Sequence, residues 1–160
     1  MALSDMFLLL ESKRAGVVKG ESVDKTYTEQ IDITGWSWGM DSATALGGTT
    51  ATGRTALSHL RLSKRVDAAS TALMSVMRSN DEIKKAVLTV RKSGGKQIDY
   101  FVLTVENGRI VKFEINGHGG PEMTEELSIA FKKMKVEYHV QDEKGARKGA
   151  STFETAISEV

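Results

Sequence analysis

Residues 31–39, which read IDITGWSWG, constrain the fold most because they hold both tryptophans of the chain, two residues apart. A spacing of two is the period of a β-strand, so Trp36 and Trp38 are expected on one face and Ser37 on the other. Large aromatic side chains are usually buried, and we therefore expect both indoles in the core. At Gly35 the apolar alternation changes phase, which predicts a bulge or a close backbone approach.

Composition excludes several classes of protein. A chain of 160 residues is the size of one domain and folds without a disulfide or a metal. It contains no cysteine, so disulfides, thiol nucleophiles and thiolate zinc sites are excluded. The net charge of +1, from 22 basic and 21 acidic residues, lacks the basic excess of nucleic-acid-binding domains. A charge so close to zero also does little to oppose self-association.

The N-terminal region shows no targeting signal. The apolar run at residues 7–10 is too short for a signal peptide and follows Asp5 rather than a basic segment. No stretch approaches the roughly 18 apolar residues that would span a bilayer. We therefore expect a cytoplasmic protein that does not insert into a membrane.

Strand patterns dominate the rest of the chain. Strands are predicted at residues 6–10, 57–66, 86–91, 98–105, 109–115 and 125–141. In the strand at 57–66, Leu60 and Leu62 are expected on one buried face. The strand at 125–141 changes phase at Lys132 and Lys133, which predicts a bulge that lets one bent strand serve two sheets.

Residues 106–108, Glu-Asn-Gly, predict a tight turn between the strands at 98–105 and 109–115. In the second strand, Val111, Phe113 and Ile115 are expected to face inward. The segment at 15–28 is polar and is expected to be a loop. The tail after Asp142 is also polar, and it predicts a loop or a short helix.

One helix is predicted, at residues 67–80. Ser70 is the expected N-cap, because a serine hydroxyl accepts from free N–H groups of the first turn. Leu73 and Val76 follow at helical spacing and are assigned to the core. Arg78 suits the C-terminal dipole, and Asn80 can adopt the left-handed conformation that ends a helix.

Residues 40–56 form a long stretch of small, neutral and glycine-rich sequence. Its glycines do not match a phosphate-binding loop, since no lysine follows them and no helix pattern begins there. Long loops in compact domains are usually functional or disordered. We expect a loop that is flexible or becomes ordered against a partner.

The candidate catalytic residues are few. His59, His118 and His139 fall in three separate elements without a metal-ligand spacing, and Glu125 and Glu126 are neighbours that face apart on a strand. No serine lies in a nucleophile elbow. The basic residues between 132 and 148 are typical of a solvated face, given the balanced charge. The sequence predicts no enzyme, no cofactor and no metal site.

Six short motifs occur in order along the chain: residues 5–7 (DMF), 19–25 (KGESVDK), 36–39 (WSWG), 60–67 (LRLSKRVD), 86–95 (AVLTVRKSGG) and 124–131 (TEELSIAF). Together they resemble the haemolysin-coregulated protein (Hcp) family, over residues 6 to about 141. The resemblance implies a mainly β fold, a small β-barrel of two sheets with one flanking α-helix, assembled into a hexameric ring. The Hcp-like domain would span residues 1–142, including the extended loop 40–56, with a tail of unknown structure at 143–160.

The function implied by this resemblance is that of a structural tube subunit of the bacterial type VI secretion system. Family members form rings that stack into a hollow tube, which carries a tip spike protein and is expelled by a contractile sheath. Small effector proteins travel in the lumen. The subunit would be cytoplasmic during assembly and then secreted without a signal peptide.

The resemblance also suggests residue roles. The loop resembles the family's extended loop, and the residues expected to stack one ring on the next are Ser42, Thr44, Ala45, Leu46, Gly47 and Gly48. Ser37 is expected to face the lumen and contact effectors. The expected core residues are Trp36, Trp38, Leu73, Val76 and Phe131. Two features depart from the family: Thr71 stands where relatives often have proline, and the tail after Asp142 has no matching counterpart.

Two other classes of protein remain open from the residues alone. One is a stand-alone β-barrel that binds a small ligand or a peptide, although barrels of few strands are usually filled by their own side chains. The other is a hydrolase that uses histidine and glutamate, with His139 as the candidate to test.

Overall fold

The computed structural model describes residues 5–42, 55–92, 99–141 and 147–157, and the side chains in these ranges except those of 141, 147 and 148. These residues form twelve strands and one helix. In chain order they are β1 (Met6–Ser12), β2 (Gly16–Val18), β3 (Ile31–Asp32), β4 (Gly35–Ser37), β5 (Met40–Ser42), β6 (Thr55–Leu57), β7 (Leu60–Arg65), α1 (Ser70–Arg78), β8 (Ile83–Arg91), β9 (Asp99–Gly117), β10 (Met123–Ala130), β11 (Lys133–Gln141) and β12 (Arg147–Ala156).

The longest strand, β9, belongs to two sheets. One of its edges pairs with β8, and the opposite edge pairs with β11 and then β10. We call the sheet of β2 and β3, β1, β8, β9, β11 and β12 the large sheet, and the sheet of β9, β10, β7 and β4 the small sheet. All the pairings are antiparallel, and β5 and β6 form a separate two-stranded ribbon.

The barrel closes where β3 leads into β4. The N–H of Ile33 donates to the carbonyl of Met6 in the large sheet at 3.0 Å, and the next N–H, of Thr34, donates to Ser63 in the small sheet at 2.9 Å. The single strand predicted at 31–39 is therefore wrong: the chain forms two short strands because it changes sheets between them. The mainly β fold of two sheets with one helix is confirmed.

The core lies between the two sheets and the helix. Leu60, Leu73, Val76 and Phe131 are buried in it, as are many leucine, isoleucine and valine side chains from both sheets. Two large aromatic side chains, Trp36 and Trp38, are half-buried and pack against this cluster. The Trp36 indole also stacks on Phe101, with 5.1 Å between ring centroids. Both sheets thus contribute to one continuous apolar interior.

The helix begins differently from the prediction. Ser70 is the first helical residue, Ala69 is the N-cap, and the cap carries no side-chain hydrogen bond. Asp67 supplies an acceptor instead, since its Oδ1 accepts from the N–H of Ala69 at 3.0 Å. Ser70 Oγ accepts from the N–H of Asp67 at 2.9 Å, so the serine fixes the turn before the helix. At the other end, Asn80 has φ of 54°, as expected for a left-handed ending.

The tight turn predicted at residues 106–108 is wrong, because β9 runs through it without reversing. Asn107 has the positive φ of a turn, 53°, but here it bends a strand. A Cβ on Gly108 would lie 2.5 Å from the carbonyl oxygen of Ala130. The close approach of β10, rather than a reversal of the chain, is what requires glycine there.

The expected inward orientation of Val111, Phe113 and Ile115 is correct only in part. Val111 is the extra residue where the pairing of β9 with β10 shifts register, and it is exposed. Phe113 packs against the core. Ile115 pairs with the buried Glu125 and so lies on the inner face, but it is exposed near the end of the strand.

The long strand predicted at 125–141 is interrupted at Phe131 and Lys132, so β10 and β11 are separate strands. They keep one register along β9, since Ala130 pairs with Arg109 and Lys133 with Glu106. The idea that this segment serves both sheets is therefore confirmed.

Three segments predicted as loops contain strands, and one of them is the segment 40–56, whose ends form β5 and β6. The tail forms β12, which pairs with β11 along its whole length, where a loop or short helix was expected. β2 lies within the predicted loop at 15–28. Neither strand has a strong apolar alternation, and pairing with a neighbouring strand supplies the hydrogen bonds that hold it.

Candidate functional site

The outer face of the small sheet carries a row of polar side chains across four strands. Ser37 on β4 pairs with Arg61 on β7, Arg61 pairs with Ser128 on β10, and Ser128 pairs with Lys112 on β9. Since Trp36 pairs with the buried Leu62, its neighbour Ser37 must point away from the core. The exposed position of Ser37 agrees with the alternation of the sequence.

This row forms the floor of a shallow depression of about 560 Å³. Its lining comprises Trp36, Ser37, His59, Arg61, Ser63, Val111, Lys112, Glu126, Leu127 and Ser128. Lys112 and Glu114 form an exposed ion pair, with 3.7 Å between the lysine Nζ and the glutamate Oε2. Such a mixed polar surface can hold another molecule by hydrogen bonds and exchangeable ion pairs. It offers neither an activated nucleophile nor a base held by a third group.

The base of the predicted stacking loop is a β-ribbon. Met40 pairs with Leu57 and Ser42 with Thr55. Next to the ribbon, the N–H of Gly39 donates to Ser58 Oγ at 2.8 Å, and the N–H of Ser58 donates to the carbonyl of Gly39 at 2.9 Å. The ribbon therefore fixes where the loop leaves the barrel. The other expected stacking residues, Thr44, Ala45, Leu46, Gly47 and Gly48, lie outside the described residues.

A buried ionic cluster lies behind the polar face. Lys64 on β7 is fully buried and forms ion pairs with Glu125, also fully buried, and with Asp67 at 2.7 Å. Its ammonium group also donates to Ser70 Oγ at 3.2 Å. The cluster thus joins β7, β10 and the start of α1. Because a buried charge is unfavourable without partners, this network fixes the position of the three elements.

A second cluster holds the segment 19–30 against the large sheet. Arg91 Nη2 donates to Asp24 Oδ2 at 2.7 Å, and the guanidinium lies over the Phe7 ring at 5.1 Å. Phe7 in turn stacks on Tyr27, with 4.8 Å between centroids, and the Tyr27 hydroxyl donates to Asp99. One cation therefore binds a carboxylate and an aromatic pair from different segments.

The contacts in this second cluster shift the pKa values of Asp24 and Tyr27. The hydrogen bond from Arg91 lowers the pKa of Asp24 below its usual value, and the N–H groups of Thr26 and Tyr27 act in the same direction. Burial raises the pKa of Tyr27, reinforced by the hydrogen bond to Asp99. The charged carboxylate and the neutral phenol are thus the forms that the fold favours.

Neither cluster is predicted above from the sequence, although the positions of Lys64 and Glu125 in their strands indicate that both are buried. Lys64 continues the buried phase of Leu60 and Leu62 on β7, and Glu125 continues the phase of Leu127 on β10. Two opposite charges, each in an otherwise apolar inner row, predict a buried pair.

The described residues do not gather a catalytic or metal centre. His59 and His118 are exposed on different loops, and His139 lies on β11 with its Nε2 3.6 Å from Glu137. No group of three or more metal-ligating side chains occurs in these ranges. In the same part of the chain, α1 is too short to cross a bilayer.

Comparison with known proteins agrees with this fold. The family model described as "Type VI secretion system effector, Hcp" matches residues 7–138. Protein hcp1 of Pseudomonas aeruginosa is 34% identical over 149 residues, which cover 91% of this chain and 89% of that protein.

Solved structures show the same architecture. A type six secretion system protein superposes with a TM-score of 0.83 at 22% identity, covering 95% of this chain and 96% of the other. A type VI secretion system effector from Yersinia pestis gives 0.75 at 21% identity, covering 96% and 100%. Because the family model matches residues 7–138, which is most of this chain, the chain belongs to the Hcp family, the tube proteins of the type VI secretion system.

Proposed function

We propose that this chain is a structural subunit whose copies form hexameric rings that stack into the expelled tube. The observation that carries the proposal is the family match over residues 7–138. In this role the protein is not an enzyme, and its partners are itself, the tip spike protein, the contractile sheath and small effector proteins. It assembles in the cytoplasm and is then secreted.

The polar outer face of the small sheet is the surface that we assign to the lumen. Ser37 lies in its first strand, exposed and next to Arg61. A surface of hydroxyl and exchangeable charged groups suits transient binding of folded cargo, which must be held and later released. The opposite faces of the same strands point into the barrel, where Leu60, Leu62, Leu127 and Ile129 are buried.

Electron images of the purified protein test the ring and tube directly. Annular particles or stacked tubes are expected at high protein concentration, with a central bore. A particle that stays monomeric at every concentration and in every buffer contradicts the proposal. Sedimentation velocity run on the same samples measures the mass of the particles.

Cargo binding tests the lumen assignment. Ser37→Gln places a longer side chain on the polar face, and we expect reduced recovery of co-expressed effectors with unchanged ring size. Thr71→Gln is the matched control, because Thr71 is exposed on the helix, away from this face. Equal effector recovery from both variants would remove Ser37 from the binding surface.

Ring stacking is assigned to residues 42–53, the segment of the sequence that leads from the end of β5 towards β6. In this cysteine-free chain, Gly48→Cys is combined in turn with Gly119→Cys and Ser79→Cys, two exposed positions elsewhere on the subunit. A crosslink that joins two rings supports the loop as the stacking element. If rings stack in images while no pair crosslinks them, stacking uses another surface.

A further inference from the structure

Exposed apolar side chains gather at two places where strands extend past the barrel. Tyr138 and Val140 on β11 and Phe153 on β12 are 47%, 38% and 42% exposed, and together they are called the hairpin patch. Ile115 on β9 and Met123 on β10 are 43% and 51% exposed and are called the edge patch. Isolated exposed apolar residues are common, but groups on adjacent strands mark interaction surfaces.

Strand pairing places both patches on the core side of their sheets. Phe153 pairs with Val136, which packs against the core, and Tyr138 follows Val136 two residues along the same strand. Ile115 pairs with the fully buried Glu125. Side chains alternate along a strand, so these residues continue the inner face. They are exposed because no described part of the chain packs over the strands at these points.

The inner face of the β11–β12 hairpin is also free of charge. Its described side chains are Met134, Val136, Tyr138, Val140, Ser151, Phe153 and Thr155. The outer face of the same hairpin carries Lys133, Lys135, Glu137 and Glu154. A charged partner would lose its hydration against the inner face without gaining an ion pair. The hairpin patch therefore suits an uncharged apolar surface, which is what the edge patch offers.

The two patches lie towards opposite ends of β9. Tyr138 pairs with Phe101 near the start of this strand, and Ile115 lies close to its end at Gly117. The edge of β9 that faces away from β10 pairs with β8 only as far as Gly108, and from 109 to 117 no described strand pairs with it. A ring of identical subunits needs two unlike surfaces at separate places on each copy.

We propose that the hairpin patch of one subunit covers the edge patch of the next copy, and that this contact closes the ring. The inference rests on the ring assembly proposed above and specifies the surfaces that build it. Each copy supplies the apolar layer that its neighbour lacks over β9 and β10. Aromatic side chains at the centre of such a contact, here Tyr138 and Phe153, are expected to contribute most of the binding energy.

Charge insertion tests each patch with a neighbouring control. Phe153→Lys and Ile115→Lys put a charge into the contact and should abolish rings in electron images and in sedimentation. Thr152→Lys and Asn116→Lys put the same charge on the outer face of the same strands and should leave rings intact. Circular dichroism and the melting temperature establish that each variant is folded.

Mixing the two patch variants tests the head-to-tail arrangement. The Ile115→Lys subunit keeps its hairpin patch and the Phe153→Lys subunit keeps its edge patch, so together they can form one intact contact. A one-to-one dimer is expected from the mixture, and neither variant alone should dimerise. If the mixture yields only monomers while both variants are folded, the pairing of these two patches is wrong.

Crosslinking gives a second test that keeps both aromatic side chains of the hairpin patch. In the cysteine-free chain, Met123→Cys combined with Ser151→Cys, the partner of Tyr138 on the same face, should give, with a short bis-maleimide, a ladder of covalent species up to the hexamer. Each single variant should remain at the monomer mass. Rings that persist in both lysine variants without a crosslink ladder overturn these surfaces but leave the tube function standing. A wild-type chain that never forms rings overturns both.

Discussion

Two residues, Lys64 and Glu125, show how a charge is kept inside this barrel. They lie opposite each other on β7 and β10 and are fully buried, with Asp67 and Ser70 completing the contacts of the ammonium group. A buried ion pair adds little stability relative to apolar residues, but removing one partner leaves an unpaired charge in the core. The pair is therefore better understood as fixing the position of α1 than as a source of stability.

Glu125→Leu is expected to lower the free energy of unfolding by about 3–5 kcal/mol, because it removes the closest partner of Lys64. Lys64→Met combined with Glu125→Leu should recover most of that loss, since no unpaired ammonium remains. Urea unfolding monitored by tryptophan fluorescence measures both. A double variant as unstable as the single one would mean that the charge is not the cause.

Gly108 is required by a single close approach. A Cβ at this position would lie 2.5 Å from the carbonyl oxygen of Ala130 and 3.2 Å from a methyl carbon of Ile129. Gly108→Ala should therefore destabilise the protein by about 1–3 kcal/mol, as overpacking does. Gly119→Ala is the control, because a Cβ there meets nothing within 4 Å. Equal melting temperatures of the two variants would contradict the assignment.

At the scale of elements, the segment 19–30 depends on Arg91 because it contains little regular structure of its own. It is held by the bond from Arg91 to Asp24 and by the stack of Tyr27 on Phe7. Arg91→Met should reduce stability by about 2 kcal/mol, the value of a charge-assisted hydrogen bond. Hydrogen exchange should become faster in residues 19–30, while amides in the β9–β10 pairing keep their protection.

Acid should affect the same segment. The pKa of Asp24 is lower in the folded protein than its usual value of 3.8. The ionised Asp24 carboxylate therefore makes its full contribution to the free energy of unfolding above pH 3.8. This contribution is lost as the pH falls through the lower pKa of the folded state. Asp24→Asn should be less stable than the wild type at neutral pH, and the difference should shrink on acidification. Urea unfolding across this pH range measures it, and a difference independent of pH would contradict the linkage.

The whole molecule is a subunit whose proposed contacts are apolar rather than ionic. The hairpin and edge patches carry no charge, so screening should have little influence on their association. Rings should keep their mass by sedimentation from low salt to about 1 M salt, where exposed ion pairs are fully screened. Binding of effectors to the polar face around Arg61 and Lys112 should weaken over the same range. Rings that dissociate with salt would indicate an ionic interface instead.

The sequence by itself determined the mainly β architecture, the position and core face of the helix, and the family. These features are local: Leu60 and Leu62 alternate, Leu73 and Val76 recur at helical spacing, and the six motifs follow one another along the chain. The outward direction of Ser37 is likewise a consequence of strand alternation. Within residues 40–56, which were predicted as a loop, the described ends form the short strands β5 and β6.

Only the tertiary structure decided how the strands meet. The positive φ of Asn107 is compatible with a hairpin turn and with a bend within a strand. The bend forms here because β9 continues past Asn107 and pairs with β10, which approaches Gly108 closely. The pairing of Lys64 with Glu125 joins residues 61 positions apart. β12 forms because the edge of β11 supplies its backbone hydrogen-bond partners. The two exposed patches depend on which parts of the strands are covered by other elements, and the sequence does not show this. Such contacts depend on distance in space, which local sequence patterns do not encode.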